Sequence, residues 1–469
     1  MSAHGVSSFS MDAAHGVDSI SIALERVRRV VGENFPQILD ETIACLAVTA
    51  TLLLEDQQNP VAVNLEGPPS SAKTTLLDFL DAAGADKVYK SDKFTPKSFV
   101  SHSASVSREK LEQVDLLPRI RHRVLLVPEL APLFGLRNED LLENFSILTR
   151  VLDGQGLTTD SGVHGQRGHT GDYLFAWIGC TTPIEHRVWK TMGKLGSRFL
   201  FFEMPNGEHS DAELVYDVAG GESYRDRVDV CWDVVACFLE NLWMDTGGVR
   251  GVKWDRSNDP TPVMLRIAAY AKVLARLRGT ISVWREGSGD DETYNFTSPV
   301  VEAPHRAMSL LYALARGHAL VHGRVQLTEE DLPIVARAAL ESTPNDRRAV
   351  MRLLLVNAGI VSTSDVQTTL RCSAPTARAI LETLDKLGIG AFGNPGPPEP
   401  ATLTLSRPLR WLLDPPPAIE KKATPSAGAI ETELTPSTNG ADELEIERLA
   451  DLVLEMLAAE EPARERSAS

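Results

Sequence analysis

The sequence predicts an α/β fold in which a parallel sheet lies between helices, and three observations carry that expectation. Residues 61–79, VAVNLEGPPSSAKTTLLDF, pass from a short apolar β-type run through a Gly/Pro/Ser loop directly into a helical pattern. Residues 124–129, VLLVPE, form a second buried strand that ends in a carboxylate. Residues 174–180, LFAWIGC, form a third, which runs into Thr181, Thr182 and Pro183.

The loop 67–74, GPPSSAKT, matches the phosphate-loop pattern G-x-x-x-x-G-K-[ST] at each defined position except the second glycine, where Ala72 stands. A loop of this length at a helix N-terminus turns successive backbone N–H groups toward a polyphosphate and adds the positive end of the helix dipole. Gly67, Ser70, Ser71, Ala72, Lys73, Thr74 and Thr75 are thereby assigned to nucleotide binding. Lys73 is expected on the β- and γ-phosphates and the Thr74 hydroxyl on Mg2+, so ATP with Mg2+ is the expected ligand.

In open α/β sheets ligands bind at the carboxyl ends of the strands. Glu129 is therefore placed to polarise a water for attack on the γ-phosphate. Pro128 stands where a metal-holding Asp is expected, which leaves either slow hydrolysis or nucleotide binding alone. Thr181 and Thr182 bring a hydroxyl toward the same phosphates. Arg198 immediately precedes the strand 199–204 and is either a surface residue or a charge delivered to a neighbouring subunit's phosphates; beside a phosphate loop the second reading is taken.

The 469 residues suffice for about three domains, and 43% apolar with 24% charged residues is the composition of a soluble globular protein. A net charge of −17 argues against wholesale coating of nucleic acid, while a local basic channel remains compatible with it. Cys45, Cys180, Cys231, Cys237 and Cys372 are scattered and read as thiols of a reducing cytoplasm. The longest apolar run, 43–54, is too short to span a bilayer, so a cytoplasmic location without a membrane is expected.

Along the chain, residues 1–16 read as disordered, and helices are expected at 18–31 and 36–55. Residues 86–123 turn basic, and the string DKFTPKSFVSH reads either as a polyanion contact or as a solvated insertion. A helix over 138–152 precedes a Gly-rich hairpin whose tip holds His164, Arg167 and His169, directed outward either to solvent or to nucleic acid. Helices follow at 229–244 and 262–277, a loop at 286–297, and a helix at 304–321 with Arg306 in its first turn. Thr328 is an N-cap with acids behind it. Helices at 345–356, 364–370 and 373–387 with short strands at 391–392 and 402–405 make a winged helix-turn-helix. Its second helix exposes Arg378 beside Glu382 and Asp385, leaving DNA and protein contact both open. Residues 414–440 are linker, and 441–460 form an acidic amphipathic helix that either docks a partner or is a marginal tail.

The parts divide as a disordered start (1–16), a nucleotide core (17–215), helical lid and connecting helices (216–343), winged helix (344–413), linker (414–440), and acidic helix with tail (441–469). This order resembles the AAA+ ATPases, and more narrowly the branch that holds the minichromosome-maintenance (MCM) helicases and MoxR-type remodelling ATPases. MCM-type phosphate loops carry Ala before the Lys, as Ala72-Lys73 does. The resemblance implies Walker A roles for Lys73 and Thr74, the Walker B glutamate at Glu129, and sensor 1 at Thr182, where the family usually has Asn. It further implies an arginine finger at Arg198 in GSRF, sensor 2 at Arg306, and a pre-sensor-1 hairpin at 162–171. A homo-oligomeric ring, a hexamer, that hydrolyses ATP is implied, first as a DNA motor or helicase. The alternatives are a remodelling ATPase with a protein client, or a slow nucleotide-gated switch.

Overall fold

The computed structural model describes residues 19–101, 110–161, 165–205, 215, 223–286, 293–396 and 398–414. The expected disordered start, His164, the linker from 415 and the acidic helix lie outside the described residues.

β1 (Val61–Glu66, VAVNLE) is buried at all six positions, as befits a central strand: Val61, Ala62, Val63 and Leu65 are apolar, and the two polar residues are partnered, Asn64 Oδ1 accepting from Trp177 Nε1 and Glu66 from Arg348. It pairs in parallel with β6 (Ala176–Thr181) on one side and β7 (Phe199–Glu203) on the other. β6 also pairs with β3 (Val124–Val127), and β3 with β2 (Val88–Lys90), so the sheet has five parallel strands in the order β2-β3-β6-β1-β7. The hairpin of β4 (Gly156–Ser161) and β5 (Gly165–Thr170) stands apart as a two-strand antiparallel sheet. Alternation along β1 sends Val63 and Leu65 to one face, with the helices Ile20–Asn34, Leu39–Ala50 and Lys73–Asp81, and Ala62 to the other, with Phe145, Trp177 and Phe201. The parallel sheet between helices is therefore as the three apolar runs predict.

The single helix expected over 36–55 is a helix Leu39–Ala50 with a 3-10 turn at each end, Pro36–Ile38 and Thr51–Leu53. Pro36–Leu53 has the length and composition of a membrane span, but 78% of it is buried inside the protein and it serves as a core helix. The basic insertion is surface at its lysines, Lys93 and Lys97 being exposed, but not at its rings. Phe94 and Phe99 are buried, and Phe94 meets Trp177 edge-on with ring centroids 4.9 Å apart. Lys90, on β2, is held by Asp78 at 2.8 Å and Asp81 at 3.7 Å. Lysines between the aromatics read as surface, yet the rings anchor the segment to the sheet.

Helices Tyr224–Asp245, Thr261–Arg278, His305–Val321 and Leu332–Glu341 follow the sheet. Thr328 and Asp331 form a capping box, and the buried Asp331 carboxylate also takes His318 Nδ1 at 2.7 Å and Arg324 Nη1 at 2.8 Å. The loop expected at 286–297 instead belongs to a hairpin of β8 (Val283–Glu286) and β9 (Thr293–Phe296). The helix Asn345–Val356 then leads to β10 (Ile360–Ser362), the helices Thr363–Leu370 and Ala374–Lys386, β11 (Gly390–Gly393) and β12 (Thr402–Leu405). The last three strands make an antiparallel sheet in the order β10-β12-β11. β10, only three residues long, is one strand more than the sequence pattern predicts. The cysteines are all free thiols, Cys45, Cys180 and Cys231 being buried.

Candidate nucleotide site

Residues 67–72 leave β1 and enter the helix Lys73–Asp81 with Ser70 and Ala72 both left-handed, at φ 65° and 57°. Left-handed residues in such a loop turn N–H groups inward, the conformation of an anion-binding concavity. Lys73 Nζ donates to Gly67 O at 2.7 Å, Pro68 O at 2.6 Å and Ser71 Oγ at 3.0 Å, so the ammonium is folded into the loop it belongs to. Burial lowers the Lys73 pKa from its usual value, against the opposing pull of the Cys180 and Glu129 charges. Gly67 is packed so tightly that a Cβ there would stand 2.7 Å from Met204 Cβ, which explains why a glycine begins the loop. Thr74 is exposed at the start of the helix, and the buried Thr75 hydroxyl bonds Tyr224 Oη.

β6 lies between β1 and β3, so Glu129 emerges two strand spacings from the loop, roughly 10 Å. Its Oε1 accepts from Ala131 N–H at 2.7 Å, which holds the exposed carboxylate at the strand's carboxyl end. Thr182 follows the intervening strand, with Glu66 in register with Thr181. Cys180 donates weakly to Lys73 O at 3.8 Å, and burial pushes its thiol pKa up to about 12, so it is an inert packing thiol under the loop. Lys73, Thr74, Glu129 and Thr182 thus share one edge of the sheet. Among the described residues no group of three His, Cys, Asp or Glu side chains is arranged to hold a metal.

Arg198 and Arg306 lie elsewhere. Phe199 pairs with Ala62 and Glu203 with Glu66, so Arg198 precedes β7 at the opposite edge, roughly 20 Å along the strand from the loop. Its guanidinium is buried, donates to Leu195 O at 2.8 Å and faces Asp153, and burial lowers its pKa. Arg306 converges with it: a Cβ on Gly196, whose φ is +73°, would stand 2.9 Å from Arg306 Nη1, 3.1 Å from Glu302 Oε2 and 3.4 Å from Arg198 Nη1. The two arginines form one cluster remote from their own phosphate loop.

The outward hairpin tip is corrected in part. His169 turns inward, with Nε2 2.8 Å from Oδ2 of the fully buried Asp115, and this contact fastens the hairpin to the segment after β2. Arg167 is half-buried on β5 opposite Thr159. Arg378 donates to Glu382 Oε1 one helical turn on, at 2.7 Å.

Sequence reasoning missed Glu66 and Arg348. Glu66 Oε2 accepts from Arg348 Nη2 at 2.6 Å, with the two side chains 3 and 4% exposed. A carboxylate ending an otherwise buried strand is a signal in itself, since such a charge needs a partner.

Compared with known proteins, the chain matches no family model and no curated protein. What the fold establishes is an α/β protein built on a five-strand parallel sheet flanked by helices, with small antiparallel sheets and a helical region beside it.

Proposed function

We propose that this protein is an ATP hydrolase of AAA+ type, akin to the MCM and MoxR branch, that works as a homo-oligomeric ring, a hexamer, on a macromolecular client. One observation carries the reading: Lys73 is pinned inside a left-handed loop at the carboxyl edge of a parallel sheet, with Thr74, Glu129 and Thr182 on that same edge. In this reading the loop N–H groups and Lys73 bind the phosphates, and Glu129 accepts a proton from the attacking water. Mg2+, when bound, draws charge from the phosphate oxygens; Thr74 is the residue that would hold it, and Pro128 offers no carboxylate for the purpose.

The ring reading is supported by the joint position of Arg198 and Arg306 at the far edge, where they are suited to a neighbour's phosphates and not to their own. The helices and three strands of residues 345–405 are read as a winged helix. The bonds of His169 to Asp115 and of Arg378 to Glu382 favour a protein client over DNA, because two of the side chains assigned to a polyanion are engaged within the chain. Phosphate release from Mg-ATP by wild type and Lys73→Ala, with and without single-stranded DNA or an unfolded protein, tests this. Activity lost in Lys73→Ala supports the enzyme, stimulation by DNA restores the DNA-motor reading, and equal release by both proteins overturns the assignment.

A further inference from the structure

Glu66 immediately precedes Gly67, and it ties together three parts of the molecule. Its Oε1 accepts from Ile184 N–H, after β6, at 2.8 Å. Its backbone carbonyl accepts from Met204 N–H, after β7, at 2.7 Å. Its Oε2 accepts from Arg348, in the first turn of Asn345–Val356. A cation in that turn opposes the positive end of the helix; Arg348 Nη2 offsets this by donating to the Asn345 side chain and, at 3.5 Å, to Thr343 O as well as to Glu66, the one carboxylate among these partners.

Arg348 has two carboxylates within reach. Nη2 is bonded to Glu66, whereas Nη1 lies 3.3 Å from Glu203 Oε2 without hydrogen-bond alignment, and Nε has no partner. Arg352, one turn on, also reaches Glu203. At the other end of the contact, Lys73 occupies the carbonyls of Gly67 and Pro68. A phosphate that draws the ammonium away releases those carbonyls, and the Gly67–Pro68 peptide that then relaxes is separated from the Glu66–Gly67 peptide by the Gly67 Cα alone.

We propose that Glu66–Arg348 is a latch through which nucleotide at the phosphate loop repositions residues 345–405, with Arg348 exchanging Glu66 for Glu203. The inference rests on the nucleotide reading of the loop. It makes Arg348 a positioning residue that carries the state of the site to the C-terminal helices and strands.

The test is hydrogen exchange of the full chain with and without Mg-ADP or a slowly hydrolysed Mg-ATP analogue, beside binding of a fluorescent adenine nucleotide. In wild type, nucleotide is expected to protect 67–75 and to change exchange over 345–405. The double variant Glu66→Gln/Arg348→Met removes both buried charges together, which avoids stranding one of them. It is expected to keep the loop protection, with affinity changed less than about fivefold, the lower end of a typical coupling, and to lose the C-terminal change. Arg348→Lys should retain part of it. A C-terminal change that persists in the double variant, or is absent from a wild type whose loop is protected, overturns the latch alone. A wild type that neither binds nucleotide nor protects its loop overturns the nucleotide reading and the latch with it.

Discussion

Arg198 and Asp153 are ion-paired at the sheet edge opposite the phosphate loop, Nε 3.3 Å from Oδ1 and Nη2 3.4 Å from Oδ2. Any action of Arg198 on a neighbour's phosphates must exchange this partner for another. Arg198→Ala is expected to lower kcat by about 10³-fold, the lower range for an arginine acting in trans. Mixing it with Lys73→Ala should restore part of the phosphate release, because mixed rings contain sites with Lys73 from one copy and Arg198 from the next. Without any regain, the Asp153 pair is structural and the ring reading fails.

The half-buried Lys73 sets a pH dependence of known sign. Its lowered pKa means that the uncomplexed protein loses this proton below the ordinary value of 10.5. Affinity for adenine nucleotide should therefore fall as pH rises through that lowered value, and titration of a fluorescent analogue reads it. Fold stability moves the other way, because the charged form is disfavoured by burial and the cost disappears between the folded pKa and 10.5. Lys73→Met should abolish both slopes.

Acid stability reports on His322. Burial, with the His318, Arg28 and Arg324 charges, pushes its pKa down to about 3, and Arg28 Nη2 lies 2.6 Å from its Nε2. The unfolded chain takes up this proton below pH 6.5 and the folded chain does not until about 3, so stability falls as pH drops across that window. Denaturant midpoints measured from pH 7 to pH 4 should decline in wild type and decline less in His322→Gln. Equal slopes would remove His322 as the cause.

At Glu129, substitution by Gln keeps the shape and the N–H contact to Ala131 but removes the base. Phosphate release should drop by about 10²–10⁴-fold, the usual contribution of a general base, while nucleotide still binds. Pro128→Asp adds a carboxylate beside it and should raise turnover; an unchanged rate would mean that Thr74 and the phosphates already hold the metal sufficiently.

The loop and its flanking strand and helix were legible because their signals are local: an apolar run, glycine, lysine and threonine in a fixed spacing. β2 and β10 were not, since three residues leave too short a pattern for periodicity to register, and each is defined by the strand it pairs with. Phe94 and His169 were misread for a related reason. Lysines around one and glycines around the other suggested solvent, whereas their partners, Trp177 and Asp115, lie far away in sequence. Glu66 and Arg348 had a readable signal that went unused, namely a carboxylate closing a buried strand and a cation at the wrong end of a helix.

The strand order has a consequence for how the chain is made. β1 pairs only with β6 and β7, and β6 begins at Ala176, 110 residues beyond Glu66. At synthesis rates of ~5–20 residues per second, the strand that carries the phosphate loop waits on the order of ten seconds for its first neighbour. Until then the run VAVNLE, four of its six residues apolar, is an unpaired edge, and the helices Ile20–Asn34 and Leu39–Ala50 are the partners already translated that can cover one of its faces. The N-terminal helices are therefore the elements placed to shield, during synthesis, the strand on which the candidate site is later assembled.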